Sequence, residues 1–181
     1  MKRIIFMSAL WLLAGTSQAQ YRNIELQAAG LTCSMCSNTI YKALKTLDFV
    51  ADVQTDLSKN IFTVVLKDGA VPNFDALSLK VKAAGFSIAS LQFEALFSNL
   101  AVANDTHTTL GNKTLHFLGL SSKTITGWQK LRLVDKDFVL ARQRAKYEKL
   151  TQMTCIKTGF AEGCCKVKGM APGERIYHVV M

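Results

Sequence analysis

The 181-residue sequence predicts an α+β protein: a ferredoxin-like βαββαβ sandwich over residues 20–94, then a small, mostly-β unit of OB-like barrel type over 95–181. Three observations carry this reading. Between Tyr21 and Glu94, alternating and helical apolar periods follow one another in the order strand, helix, strand, strand, helix, strand. Lys/Arg and Asp/Glu balance at seven each over 20–94, whereas thirteen face six over 95–181, so the chain changes character near residue 94. Beyond that point, β-rich runs at Leu115–Leu120, Thr124–Val134 and Arg175–Val180 flank one helical stretch, Phe138–Leu150, an order that suits a Greek-key barrel.

The chain opens with Met1-Lys2-Arg3, an apolar run from Ile4 to Ala14, and small or polar residues up to Ala19-Gln20. That layout predicts a signal peptide over 1–19, cleaved after Ala19, and a periplasmic or secreted protein. The apolar run is short for a spanning helix, and an uncleaved N-terminal anchor is the alternative. No cysteine stands at the end of the run, next to the cleavage point, so a lipid anchor there is not expected.

Ile24, Leu26 and Ala28 alternate with Glu25 and Gln27, a half-buried strand. The loop Gly30-Leu31-Thr32-Cys33-Ser34-Met35-Cys36 follows, after which Cys36, Ile40, Ala43, Leu44 and Leu47 recur at helical spacing. Val53, Thr55 and Leu57, the Ser58-Lys59-Asn60 turn and Ile61–Leu66 predict a hairpin. Pro72 and Asn73 precede a second helix on Phe74, Leu77, Val81 and Ala84; Gly85 stops it, and Phe86–Phe93 is the last strand of the unit.

Two cysteines with a two-residue spacer can close on one soft ion or on each other. Their place at the head of a helix favours thiolate, the form that binds metal. Two thiolates without a third strong ligand suit Cu(I) best, with Zn(II), Cd(II) or Hg(II) as alternatives; a structural zinc site would want four ligands. The competing reading is a thiol-disulfide oxidoreductase or redox sensor cycling a Cys33–Cys36 disulfide, which an oxidising compartment keeps open. Pro72 and Pro172, the two prolines, are poorly placed for the cis-proline loop of a thioredoxin-like site. Met35 reads as an exposed spacer.

With these residues in place, the stretch 22–94 resembles the heavy-metal-associated domain of copper chaperones, of the N-terminal repeats of copper-transporting ATPases and of the periplasmic mercury-binding protein. The family's loop reads Gly-Met-Thr-Cys-x-x-Cys, and here Leu31 stands where the family has Met. The resemblance implies that Cys33 and Cys36 ligate the metal, that Leu31 packs under the loop, and that Phe86 is the aromatic beside it. The role it implies is carriage, sequestration or delivery of metal to a donor or acceptor protein in the cell envelope. No His/Asp/Ser constellation or phosphate loop accompanies it, and an enzymatic role is not expected.

Five cysteines follow the signal segment, an odd number for an oxidising compartment. For Cys155, Cys164 and Cys165 the plain reading is a disulfide from Cys155 to Cys164 or Cys165. The alternative is a second soft-metal site built from these sulfurs with His178 or His116, near Met153 and Met170. His107 and His116 otherwise read as ordinary polar residues. The basic residues Arg142, Arg144, Lys146 and Lys149 suit an anionic membrane surface or an acidic partner protein; export argues against nucleic acid. Asn104-Asp105-Thr106 and Asn112-Lys113-Thr114 fit the glycosylation sequon.

Overall fold

In the computed structural model, which describes residues 20–31, 34–162, 165 and 170–181, the first half follows the expected order. It runs β1 (Tyr21–Ala29), α1 (Ser34–Lys45), β2 (Val50–Asp56), β3 (Ile61–Leu66), α2 (Phe74–Ala83) and β4 (Ser87–Val102). The predicted signal peptide, Cys33 and Cys164 lie outside the described residues. β1 sits between β3 and β4, antiparallel to both. Its buried residues Ile24, Leu26 and Ala28 join Ile40 and Leu44 of α1, and Phe74, Leu77 and Val81 of α2, in the main core.

The local signals act as expected in α2. Asn73 Oδ1 accepts the Ala76 N–H at 3.0 Å as the N-cap. At the other end Gly85 adopts φ +87°, a left-handed conformation, and Gly85 N–H and Phe86 N–H bond back to Lys82 O (2.9 Å) and Val81 O (3.1 Å). This is a Schellman closure, and it drops the chain straight into β4.

β4 does not stop at Phe93. It continues to Val102 and pairs antiparallel with β7 (Lys123–Leu133), from Leu91 opposite Leu133 to Val102 opposite Lys123. Next to β7 lies β8 (Ile176–Val180), which runs parallel to β6 (Lys113–Phe117); β6 in turn pairs with β5 (Thr106–Leu110). All eight strands form one sheet in the order β2-β3-β1-β4-β7-β8-β6-β5.

The OB-like barrel is therefore corrected: the described β-rich second half extends the ferredoxin-like sheet. A strand as long as β4 carries a row of backbone donors and acceptors on the side away from β1. β7 takes up that row, which satisfies by extension what a barrel satisfies by closure. The predicted helix over 138–150 is also shorter, α3 (Ala141–Glu148), because Phe138 and Val139 turn into two different apolar clusters ahead of it. The strand β5 was not predicted. Gly111, at φ +60°, and Asn112 make the two-residue turn that joins it to β6.

The two halves share a core. The Phe74 ring lies 4.7 Å from Phe93 and 5.3 Å from Tyr177 of β8, centroid to centroid. No described helix is long and apolar enough to cross a membrane.

Candidate metal centres

Gly30, at φ +79°, turns the chain out of β1 into the loop of the first cysteine pair, and Leu31 packs against the core. Cys36 is half-buried in the first turn of α1, beside exposed Ser34 and Met35, the latter 78% accessible. That first turn contains no carboxylate, so its N–H groups and dipole are left to favour an anion. Met35 is the exposed spacer expected. Cys33 lies outside the described residues.

A second group of metal-competent side chains assembles on the far part of the sheet. The register sets His107 of β5 opposite His116 of β6, and His116 opposite His178 of β8, so three histidines form one rung across adjacent strands. The rings of His107 and His116 stack at 3.9 Å, and those of His116 and His178 lie 4.9 Å apart. His116, His178 and Cys155, the first residue of α4 (Cys155–Thr158), are all fully buried. Cys155 Sγ is 3.4 Å from His178 Nε2 and 3.6 Å from His116 Nδ1.

Carboxylates stand behind both rings. Asp135 Oδ1 lies 2.8 Å from His178 Nδ1, and its Oδ2 accepts the His178 backbone N–H at 2.9 Å. Asp105 Oδ1 lies 3.0 Å from His116 Nε2. His107 Nδ1 lies 3.2 Å from the Asp105 carbonyl, while its Nε2 is buried and has no hydrogen-bond partner among the described residues. A ring nitrogen facing a carboxylate or carbonyl must carry the proton. The network thus assigns lone pairs to His116 Nδ1, His178 Nε2 and His107 Nε2.

Burial, with the neighbouring His107 and His178, pushes His116 down to about 3 despite the opposing Asp105 carboxylate, so this imidazole is neutral at physiological pH. Burial also lowers His107. Asp135 is held below the ordinary carboxylate range: burial would raise it, but the His178 hydrogen bond and the Arg175 charge outweigh that.

Of the residues singled out in sequence, the fold brings together Cys155, His116 and His178. Cys165 is buried in the same apolar cluster as Cys155, with Met153 and Met170 packed against it. Cys164 lies outside the described residues. His107, Asp105 and Asp135 were missed as site residues. The available signal was Gly111-Asn112, a hairpin turn that sets His107 against His116. In the two sequons, Asn104 bonds Gly119 N–H (2.6 Å) and Leu150 O (3.0 Å), and the buried Thr114 hydroxyl donates to Glu174 (2.6 Å).

The β1–α1 loop lies inside a stretch, residues 25–87, that matches the model for the heavy-metal-associated domain. Residues 25–87 are a heavy-metal-associated (HMA) domain. The chain is also 38% identical over 64 residues, 35% of its length, to Copper-transporting ATPase 2 of Rhizobium meliloti (strain 1021). The chain spans 8% of that relative's length. Among solved structures, a yeast copper transporter domain studied in apo and Cu(I)-loaded states is 29% identical, over 36% of this chain and 88% of that one, with a TM-score of 0.32. A variant of CopA from Bacillus subtilis, solved with copper, is 27% identical over 39% and 91%, with a TM-score of 0.34. The HMA match ends at residue 87, so the histidine rung lies outside it.

Proposed function

We propose that this chain is an exported carrier of a soft metal ion, Cu(I) ahead of Zn(II), Cd(II) and Hg(II), held between Cys33 and Cys36 of the HMA domain. The observation that supports it most strongly is the position of Cys36: half-buried, inside the matched domain, in a helix first turn without a carboxylate. HMA domains bind soft metals such as Cu(I).

A two-thiolate ion at the end of a sheet can be approached by the thiols of another protein. An incoming thiolate adds as a third ligand and one resident thiolate leaves; a second incoming thiolate then displaces the other, and the ion moves without any change in its oxidation state. The role is delivery or sequestration rather than catalysis, with a donor or acceptor in the cell envelope. Exposed Arg142, Lys146 and Lys149, on and just after α3, supply a basic surface for an acidic partner or anionic lipid.

The test is a Cu(I) titration of the reduced chain 20–181 against a competing chelator. Cys33→Ser/Cys36→Ser is expected to lose one tightly bound equivalent; unchanged stoichiometry would remove the metal from this loop. Catalytic turnover of a model disulfide by the Cys33–Cys36 pair would favour the oxidoreductase instead.

A further inference from the structure

We propose that the histidine rung and Cys155 form a second, buried metal site, which takes a copper or zinc ion through Cys155 Sγ, His116 Nδ1 and His107 Nε2, with His178 Nε2 beside the same sulfur. Geometry comes first. With metal–sulfur bonds of about 2.3 Å and metal–nitrogen bonds of about 2.0–2.1 Å, two ligands of one tetrahedral ion lie roughly 3.5 Å apart. Cys155 Sγ lies 3.6 Å from His116 Nδ1, and 3.4 Å from the neighbouring His178 Nε2. Ligand atoms of His107, His116 and Cys155 also lie within 4.8 Å of one another.

Proton accounting points the same way. Asp135 and Asp105 fix the two buried rings so that both direct a lone pair at one sulfur. A thiol has one proton and can satisfy one of them. A cation held by the sulfur, His116 Nδ1 and His107 Nε2, which is buried without a hydrogen-bond partner among the described residues, satisfies the lone pairs that one thiol proton cannot. A carboxylate behind a ligating imidazole, as Asp105 stands behind His116, is also the usual support of such sites, fixing the tautomer and raising ligand basicity. One thiolate with neutral imidazoles is a donor set for copper or zinc rather than for calcium or magnesium.

Cys155, His178 and Asp135 also stand in the order of a nucleophile, its base and a supporting carboxylate. The sulfur is fully buried, however, and a second imidazole faces it, a setting that suits ligation better than attack on a substrate. Burial also sets this site apart from the β1–α1 loop: it suits an ion that stays rather than one that is passed on.

The experiment uses reduced, metal-free chain 20–181 carrying Cys33→Ser/Cys36→Ser, so its outcome is independent of the loop. The protein is loaded with Cu(I) against a chelator and, separately, with Zn(II) and with Co(II) as a spectroscopic substitute for zinc. One equivalent of copper or of zinc and cobalt is expected to bind, cobalt with a thiolate charge-transfer band that Cys155→Ser abolishes. Asp105→Asn keeps a residue tolerant of the φ +65° at this position. It is expected to weaken binding roughly 10–100-fold while the metal-free melting temperature holds, and His107→Gln to weaken it at least as far. The ion should also protect Cys155 from iodoacetamide. Absence of stoichiometric uptake, uptake unaltered by Cys155→Ser, or rapid alkylation of Cys155 regardless of metal would each overturn the proposal; the last would fit a nucleophilic cysteine.

Discussion

Arg175 forks onto Asp75: its Nε and Nη2 each lie 3.1 Å from one of the two carboxylate oxygens. Asp75 is in the first turn of α2, within the HMA domain, whereas Arg175 directly precedes β8. Arg175 Nη1 also reaches Asp135 Oδ1 at 3.3 Å, and the same oxygen meets His178. Hydrogen bonds thus run without a break from the HMA helix through Asp75, Arg175, Asp135 and His178 to Cys155. Both halves of the sheet are tied to one polar network.

Removing the outer end of this network should loosen the joint. Asp75→Ala deprives Arg175 of its fork and the Tyr177 hydroxyl of its 2.9 Å acceptor. Asp75 is partly exposed, so water replaces some of what is lost, and the cost is expected at about 1–2 kcal/mol. Calorimetry should show the melting temperature falling by a few degrees. An unchanged midpoint would mean that the fork contributes nothing to folding.

Asp135→Ala should be much worse. It strips acceptors from the buried His178 N–H and ring and from Arg175 together, at a position almost closed to solvent. A loss of about 3–5 kcal/mol is expected, as for breaking a buried pair. Urea denaturation of the metal-free protein checks it: the midpoint should fall further than for Asp75→Ala, and the reverse order would contradict the network.

Phe74 is fully buried, with the rings of Tyr21 and Phe93 on it from the first half and Tyr177 from the second. Phe74→Ala is expected to cost about 3–5 kcal/mol through the cavity it leaves. Because the core is shared, probes in either half, such as Trp128 fluorescence and far-ultraviolet dichroism, should report one transition. Two separated transitions would show that the halves fold independently.

Cutting the chain at residue 94 should expose the β4 edge that β7 covers. A 20–94 fragment is expected to self-associate through that unpaired edge. Light scattering coupled to gel filtration distinguishes the outcomes: a clean, folded monomer would show that β7 is dispensable for protecting the edge.

The first half was legible because each of its elements carries its own period and stop signal. Ile24, Leu26 and Ala28 alternate, Asn73 caps, and Gly85 closes. The barrel was not excluded by the sequence, because pairing of β4 with β7 is a long-range choice that no local pattern announces. β5 was hidden by composition: Thr106–Leu110 is polar and half-buried, with no apolar alternation to mark a strand. Without β5, His107 had no place beside His116. Asp135 looked like a loop residue because its role depends on His178, 43 positions away.

In the proposed function the HMA loop holds one soft ion between two sulfurs. X-ray absorption at the copper edge tests it most directly, on reduced chain 20–181 carrying Cys155→Ser and one equivalent of Cu(I). The expected first shell is two sulfurs without imidazole, lost when Cys33→Ser and Cys36→Ser are added. A nitrogen-dominated shell, or a sulfur shell that survives those substitutions, would contradict the assignment.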